Sequence, residues 1–368
     1  MTILKYITLA IFLLNLPSFG LISFGSGIGS ALSMLLFGCV FFYFFLNEKI
    51  KPVLSFALLG LLYFLISGFN FTGVLEDFFK DAIRYFIFIL MITALAKKTS
   101  ETEFCVLLLI GALSMLINVL IFPNDYGRYS GFYVNPNTAG NVCLIGFALA
   151  FKLNNKKQRL IAQFLFVIAG IMTFSRYFIL LFILVNLVSI LSNKKNIIGL
   201  ASGVIALIII LSTTSLQLNI ERFGALKSIF TDDVDTETIS KETRNETWAE
   251  YTDVILDNPM FGNGYKAMQG RESDTVGIKV GVHNSYLMVL GESGIIPFVL
   301  LIFIYLALFF RSIKHFDTNP EYVYLSIILL AYLLVSHKLF ENYLVLFLSI
   351  WLYVRVNKKS SGNTVNIF

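Results

Sequence analysis

The sequence predicts an all-α protein that crosses a membrane about 12 times. The chain of 368 residues is 57% hydrophobic, has a mean hydropathy of +0.78 and is only 14% charged, whereas a soluble globular domain has about 25% charged residues. Apolar runs long enough to span a bilayer, about 20 residues each, follow one another along the chain. The 37 Phe and 17 Tyr residues suit lipid-facing surfaces and interfacial belts. We therefore expect a polytopic membrane protein in contact with a lipid bilayer.

Run length and flanking polar residues define the predicted spans. The apolar run of the first span follows Lys5, and because no small-residue cleavage site comes after it, we interpret this span as an uncleaved helix and not as a signal peptide. The predicted spans cover residues 4–23, 28–46, 52–68, 82–96, 103–122, 135–151, 160–174, 177–192, 197–213, 285–310, 321–336 and 342–356.

Basic residues in the short loops predict the orientation of the spans, because such loops tend to stay in the cytoplasm. Lysines and arginines recur after every second predicted span, so both termini are expected to be cytoplasmic. They stand in twos and threes and form no single patch, which argues against nucleic acid as a partner despite the net charge of +5. The loops predicted on the outer side are residues 25–29, 69–81, 123–134, 175–176, 214–284 and 337–338.

One long polar segment divides the chain into three parts. Residues 1–213 carry nine predicted spans, residues 214–284 form a large outer loop, and residues 285–368 carry three spans and a cytoplasmic tail. Between residues 214 and 282 lie 12 of the chain's 23 acidic residues and 7 of its 28 basic residues. A helix from Lys241 to Leu256 is predicted in this loop, with Trp248 packing on its apolar side. We expect the water-facing chemistry of the protein here.

Four arginines on the predicted outer side are candidate substrate-binding residues: Arg128, Arg176, Arg222 and Arg244. Ionisable residues at membrane depth usually have a function, and a guanidinium group can bind phosphate oxygens through two hydrogen bonds. The alternatives are snorkelling surface side chains for the first two and salt bridges to loop carboxylates for the last two. Asn137 follows the first arginine and is expected to cap the next helix.

His283 is the candidate catalytic base. It lies where the polar loop meets the next apolar run, and Asn284 and Ser285 after it are good helix caps, so the positive end of that helix is expected at the same place. An imidazole with an ordinary pKa near 6.5 can accept a proton at neutral pH. The alternative is a histidine that only completes the cap. His337, in a short outer loop, is a weaker second candidate.

Glu292 is a carboxylate inside the predicted span 285–310. Gly294 and Pro297 follow it, so the helix is expected to break before the true span begins. We interpret Glu292 as a candidate substrate-binding residue that need not contact His283. The three cysteines lie in or beside predicted spans without metal-like spacing, so no disulfide, metal site or cofactor is predicted.

These motifs, in this order around one large loop, resemble those of the O-antigen ligase and O-antigen polymerase superfamily of bacterial envelopes. The motifs that carry the resemblance are the segment from Arg128 to Asn137, the Ser175-Arg176 hairpin, Arg222-x-x-x-Leu226, Arg244-x-x-x-Trp248, Asn258-Pro259 followed by Phe261-Gly262-Asn263-Gly264, and His283-Asn284 with Gly294 ten residues beyond Asn284.

The resemblance implies a GT-C-like fold in the bacterial inner membrane with the long loop in the periplasm. It also implies an inverting, metal-independent glycosyl transfer from a polyprenyl-diphosphate-linked glycan donor to a glycan acceptor, without a cofactor. The cations would hold the diphosphate and the imidazole would take the proton of the attacking hydroxyl. The residues implied in catalysis are His283, Arg222 and Arg244, and those in substrate binding are Arg128, Arg176, Asn137, Asn284 and Glu292.

Three functions are compatible with these residues. We favour a polymerase of lipid-linked repeat units. Whether a regulator of chain length is among its partners is left open. The first alternative is a ligase that transfers the same donor to lipid A core or to a protein. The second is a flippase or exporter, but transporters usually concentrate polar residues at mid-membrane depth and show internal repeats, whereas here the polar residues gather in one outer loop.

Overall fold

The computed structural model describes residues 1–47, 50–70, 75–123, 127–212, 244–270, 278 and 280–358, and these residues form helices and the turns between them. Two short 3-10 helices cover Gly131–Tyr133 and Lys194–Asn196. The α-helices are α1 (Thr2–Leu13), α2 (Leu16–Phe24), α3 (Ser26–Phe45), α4 (Leu54–Phe69), α5 (Leu75–Met91), α6 (Thr93–Lys98), α7 (Glu101–Ile121), α8 (Pro136–Ala150), α9 (Lys156–Met172), α10 (Arg176–Ser192), α11 (Ile197–Ser212), α12 (Arg244–Glu250), α13 (Thr252–Asp257), α14 (Ser285–Ser293), α15 (Ile295–Ile313), α16 (Glu321–Tyr332) and α17 (Tyr343–Val356).

Several of these helices are long and apolar enough to cross a membrane. Helices α3, α7 and α15 each meet that requirement alone, and α1 with α2 would form a fourth span as a bent pair. Helices α4, α10, α16 and α17 are shorter apolar helices. This architecture fits the predicted polytopic membrane protein. The number of about 12 spans and the GT-C-like arrangement stay predictions.

The prediction of one continuous helix over residues 4–23 is wrong. Helices α1 and α2 meet at an angle of 61°, and Asn15 between them has a φ of 53°. Pro17 in the first turn of α2 has no N–H to donate to the preceding turn, and asparagine adopts the left-handed conformation more readily than most residues. The break therefore follows from two neighbouring residues, and it sets polar side chains inside an otherwise apolar span.

Helix α5 begins earlier than the predicted span 82–96. Apolar residues at helical spacing in the predicted outer loop 69–81 continue into the span without interruption, so one helix runs from Leu75 to Met91. Its acidic residue Asp81 is neutralised by Lys266, whose Nζ lies 2.7 Å from Asp81 Oδ2. Because Asp81 is paired with a cation, this charged position can lie within the helix and does not mark its start.

The predicted break after Glu292 is confirmed. Helix α14 ends at Ser293 and α15 begins at Ile295, with Gly294 between them at a φ of 79°. A Cβ on Gly294 would collide with the backbone of Met260, so both the conformation and the close approach require glycine. The polar residues of α14 are thereby separated from the apolar span α15.

Loops predicted to be cytoplasmic come together at one end of the bundle. Ion pairs and hydrogen bonds join the start of α1, the start of α7, the start of α16 and the end of α17. The ion pairs are Lys5–Glu103 at 2.7 Å, Lys152–Glu321 at 3.3 Å and Arg355–Glu101 at 3.2 Å. These contacts agree with the grouping of the loops, while the cytoplasmic location of this end stays a prediction.

Helix α8 is the most enclosed helix of the described part, with every residue from Ala139 to Ala150 buried. A helix that is apolar on all sides belongs inside a bundle. It begins at Pro136, and Asn135 caps it by accepting hydrogen bonds from the backbone N–H groups of Asn137 and Thr138 at 2.8 and 3.4 Å. The prediction that Asn137 caps this helix is wrong, because Pro136 already occupies the first helical position.

The segment 244–270 packs onto α14 and α4. The N–H of Asn263 donates to the Gly291 carbonyl at 2.7 Å, and that of Tyr265 donates to the Ser67 carbonyl at 3.0 Å. The predicted helix from Lys241 to Leu256 is observed as α12 and α13, while residues 241–243 lie outside the described residues. The end of the bundle that is predicted to be outer is therefore covered by a folded segment in contact with two of its helices.

Candidate active site

A cavity of about 710 Å³ opens at the end of the bundle where the predicted outer loops meet. Its walls come from the break between α1 and α2, the turn before α8, the backbone at residues 280–283 and the segment from the end of α16 to the start of α17. Amide and hydroxyl side chains line it beside apolar ones. The lining amide and hydroxyl residues are Asn15, Ser18, Ser33, Tyr133, Asn135, Asn137, Thr138, Gln269, Tyr332, Ser336, Asn342 and Tyr343. This volume lies in the range of small-molecule sites.

His283 is held at this cavity by its neighbours on both sides. Before it, the Val282 N–H donates to the Met268 carbonyl and the Val282 carbonyl accepts from the Trp248 indole, both at 3.0 Å. After it, Asn284 caps α14 as predicted, accepting from two backbone N–H groups at 2.9 and 3.2 Å. His283 is exposed and has a φ of 47°, a conformation that costs a non-glycine residue about 1–3 kcal/mol and that clusters at functional sites.

His337 lies against His283. The two Nδ1 atoms are 3.1 Å apart and the ring centroids 4.6 Å apart, so the imidazoles share a hydrogen bond. The side chain of His337 is buried, with 8% of its surface exposed. Burial, followed by repulsion from His283 and Lys338, lowers the pKa of His337 to about 3. At neutral pH, His337 is therefore an uncharged partner of His283.

Charged groups surround the histidine pair. Lys338 and Glu341 line the cavity, and Lys338 is exposed. Behind them, Lys266 Nζ lies 2.7 Å from Asp81 Oδ2 and 3.7 Å from Glu341 Oε1. Because Lys266 is already paired with carboxylates, Lys338 is the lysine of this wall that is exposed to bind an anionic group.

Three predicted residues meet around the turn between α9 and α10. Arg128 is buried and its Nε donates to the Thr173 carbonyl at 3.0 Å, so it is not a snorkelling surface side chain. Ser175 donates from its hydroxyl to Asn137 Oδ1 at 3.0 Å. Asn137 lines the cavity, whereas Arg176 is the exposed first residue of α10. The structure thus brings Asn137 to the cavity, while the turn contacts both Asn137 and the buried Arg128.

Glu292 is fully buried and does not line the cavity. It accepts hydrogen bonds from the Tyr63 hydroxyl and, at 3.2 Å, from the Met268 N–H. Burial raises the pKa of Glu292 to about 7, against the opposing effect of these hydrogen bonds. Met268 also accepts from Val282, so the carboxyl group supports the backbone that holds His283. A direct role in substrate binding stays a prediction.

The two remaining arginines are described incompletely. Arg222 lies outside the described residues. Arg244 is the first residue of α12, one helical turn before Trp248, and its side chain lies outside the described part. Because the Trp248 indole donates to the carbonyl of the residue before His283, the helix that begins at Arg244 contacts the backbone beside the candidate base.

Residues 161–304 match the model of a family described as O-antigen ligase. This segment is therefore similar to the O-antigen ligase family. The superfamily inferred from the sequence motifs is thereby confirmed, and with it a glycosyl-transferring type of membrane protein in general terms. A search of curated proteins found no match to the chain.

The segment that matches this family contains only part of the cavity wall. It includes Arg176, Arg244 and the His283-Asn284 motif, while Asn137 and His337 lie outside the matched residues. Within the matched segment, Gln269, Val280, Gly281 and His283 line the cavity. The rest of the cavity comes from the N-terminal helices and the last two helices.

Sequence reasoning ranked His337 low and did not single out Lys338, Glu341 or Gln269. The available signal was a polar pair between two apolar runs in a short outer loop at residues 337–338. Among the residues that the structure describes, no three His, Cys, Asp or Glu side chains come together as a metal site would require. His283 places an imidazole, a group able to accept a proton, at the cavity, and Lys338 places an ammonium group, a cation able to pair with an anion, in the same wall.

Proposed function

We propose that the protein is an inverting, metal-independent polymerase of polyprenyl-diphosphate-linked oligosaccharide repeat units at the periplasmic face of the bacterial inner membrane. It would transfer the growing glycan from its lipid carrier onto the next lipid-linked unit, without a cofactor. The observation that supports this most is an exposed histidine, held by a cap and by a second imidazole, at a polar cavity in a protein with a segment that matches the O-antigen ligase family.

The leaving group explains why such a site needs cations more than an acid. A diphosphate departs as a stable anion, so the anomeric carbon–oxygen bond can break without prior protonation, unlike the bond in glycoside hydrolysis. Lys338 at the cavity would bind the diphosphate oxygens, together with Arg222, Arg244 and Arg176 in the predicted roles. Lipid-linked diphosphate is thus the donor class that suits the charges of this end of the bundle.

The acceptor hydroxyl would attack the anomeric carbon from the face opposite the diphosphate. The hydroxyl O–H bond breaks as the new glycosidic bond forms, His283 takes the proton, and the polyprenyl diphosphate leaves with the bonding electron pair. A positioned base contributes about 10²- to 10⁴-fold to such a step. Asn137, Asn342 and Gln269 offer amide groups on the cavity wall for sugar hydroxyls.

A ligase is the second candidate, because the matching family is described as O-antigen ligase. Both functions use the same donor and the same base, and they differ in the acceptor. Incubation of the purified protein in lipid nanodiscs with polyprenyl-diphosphate repeat units and a metal chelator separates them. We expect glycans of increasing length on the lipid carrier. If the donor stays unextended and is consumed only after lipid A core or a protein acceptor is added, the protein is a ligase.

The variant His283→Ala tests the proposed base. We expect kcat to fall about 100- to 10,000-fold, with binding of the lipid-linked donor retained, since the cations are intact. If the wild-type protein binds the donor or moves it across the bilayer but never transfers the glycan, the result favours a flippase. Full transfer activity of His283→Ala would contradict the assignment of the base.

A further inference from the structure

We propose that His337 is a positioning residue that accepts a hydrogen bond from Nδ1–H of His283 and so holds the base with Nε2 unprotonated. The inference rests on the proposed transfer reaction. It assigns a role to a residue that is 54 positions away in the chain from His283 and outside the segment that matches the O-antigen ligase family.

The contact between the two rings allows only a limited set of protonation states. The 3.1 Å separation joins Nδ1 of one imidazole to Nδ1 of the other, so one nitrogen donates and the other accepts. When His337 accepts, neutral His283 carries its proton on Nδ1 and presents a lone pair on Nε2, which a base requires. When His337 donates instead, Nε2 of neutral His283 is protonated and cannot act as a base.

The ring of His337 is also confined on its other side. A Cβ built on Gly281 would lie 2.9 Å from Cε1 and 3.1 Å from Nε2 of His337, and 3.0 Å from the Gln269 carbonyl oxygen. Real Cβ contacts are seldom so close, so Gly281 leaves the space that the imidazole occupies. The Gly281 backbone is in turn anchored by its neighbours, because the Val280 carbonyl accepts from the Tyr251 hydroxyl at 2.8 Å.

The surroundings keep His337 uncharged and therefore able to accept. Burial lowers its pKa to about 3, so the ring has a lone pair on one nitrogen throughout the physiological pH range. The titratable and charged groups around it are His283, Lys338, Glu341, Asp81, Lys266, Tyr63, Tyr265, Tyr332 and Tyr343. The nearest cation, Lys338, opposes a second positive charge at this place.

The same hydrogen bond acts during the reaction. As His283 Nε2 takes the proton from the attacking hydroxyl, the ring becomes an imidazolium whose Nδ1–H still donates to the neutral His337. Hydrogen bonds to charged groups are stronger than those between neutral groups. The interaction therefore strengthens in the transition state, which raises kcat more than it affects donor binding.

The matched variants His337→Asn and His337→Leu test this role in the full-length protein. Their side chains have nearly the same size, and Asn can keep an acceptor near the position of Nδ1 whereas Leu cannot. We expect kcat to fall about 10- to 100-fold in His337→Leu, the size of one hydrogen bond to a charged group, and less than about 10-fold in His337→Asn. The KM for the donor should change by less than about 3-fold in both.

The dependence of kcat on pH separates a positioning role of His337 from a purely structural one, because loss of a purely structural residue would not shift it. Without the acceptor, the imidazolium form of His283 is less stable, so His283 stays neutral to lower pH and the acidic limb of kcat shifts to lower pH in His337→Leu. Gly281→Ala, which displaces the imidazole without removing it, should lower kcat in the same way. His315→Leu, at the other end of the bundle where the ring contacts the Val356 carbonyl at 3.1 Å, is the control and should leave the profile unchanged.

The outcomes separate this inference from the proposed function. If His283→Ala is inactive while His337→Leu keeps the wild-type kcat and pH profile, the positioning role is wrong and the base assignment stands. The positioning role would also be wrong if His337→Leu and His337→Asn lowered kcat equally, raised the KM for the donor and left the acidic limb of the kcat profile at the wild-type pH. An active His283→Ala protein would overturn the base assignment itself.

Discussion

The hydroxyl of Ser285 offers a sharp test of how the two histidine-bearing segments are held together. It donates to the Ser336 carbonyl at 2.5 Å, so the residue two positions after His283 is bonded to the residue before His337. Ser285 is fully buried, and its own N–H donates to the Leu333 carbonyl at 2.7 Å. Ser285→Ala removes only the hydroxyl contact.

The expected magnitude follows from that contact. A neutral hydrogen bond contributes about 0.5–1.5 kcal/mol, and a carbonyl left without a donor costs about 1–3 kcal/mol. Ser285→Ala should therefore lower the free energy of unfolding by about 1–3 kcal/mol. Because a displacement of about 1 Å can reduce a rate about 100-fold, kcat for glycan transfer should fall about 10- to 100-fold.

Ser293 is a matched control on the same helix. It is also fully buried, but its hydroxyl donates within α14, to the Val289 carbonyl at 2.8 Å. Since such bonds to the preceding turn add little to stability, Ser293→Ala should stay within about 0.5 kcal/mol of the wild type. Unfolding in mixed micelles, followed by tryptophan fluorescence, and the nanodisc transfer assay measure both quantities. Equal kcat values for the two variants would refute a link between this contact and the alignment of the histidines.

Two further predictions concern charge. Lys338→Met should raise the KM for the lipid-linked donor about 10-fold, because the side chain that pairs with the diphosphate loses its charge, and this KM should no longer increase with ionic strength. In Lys338→Arg, the KM should stay within about 3-fold of the wild-type value. An unchanged KM in Lys338→Met would exclude Lys338 from the diphosphate site. The second concerns Glu292, whose pKa is raised by burial from 4.5 to about 7. The folded state therefore binds more protons than the unfolded state between these values, and stability falls as the pH rises through this window, by about 3 kcal/mol in total. Unfolding titrations of Glu292→Gln at pH 5 and pH 8 should show a smaller difference than in the wild type; equal differences would contradict this effect of burial.

Local patterns were enough to predict most of the helices and their grouping. Run length and charge placement depend on residues close together in the sequence, which is why α3, α7 and α15 appear near their predicted positions. The break at Gly294 and the cap at Asn284 follow from residue types with strong local preferences. The same kind of reasoning placed α8 within one residue of its observed bounds but assigned its cap to Asn137 instead of Asn135, because the effect of Pro136 was given too little weight.

The sequence by itself determined that this is an apolar helical protein with its polar chemistry at one end, and that His283 stands at a helix start beside that chemistry. Only the tertiary structure decided that His337 is the partner of His283, that Glu292 is buried beneath the site and that Arg128 packs against the Thr173 carbonyl. Helix formation depends on neighbours within about four residues, whereas these contacts join segments that are distant in the chain. Their geometry depends on how whole helices pack against one another, which residue spacing does not encode.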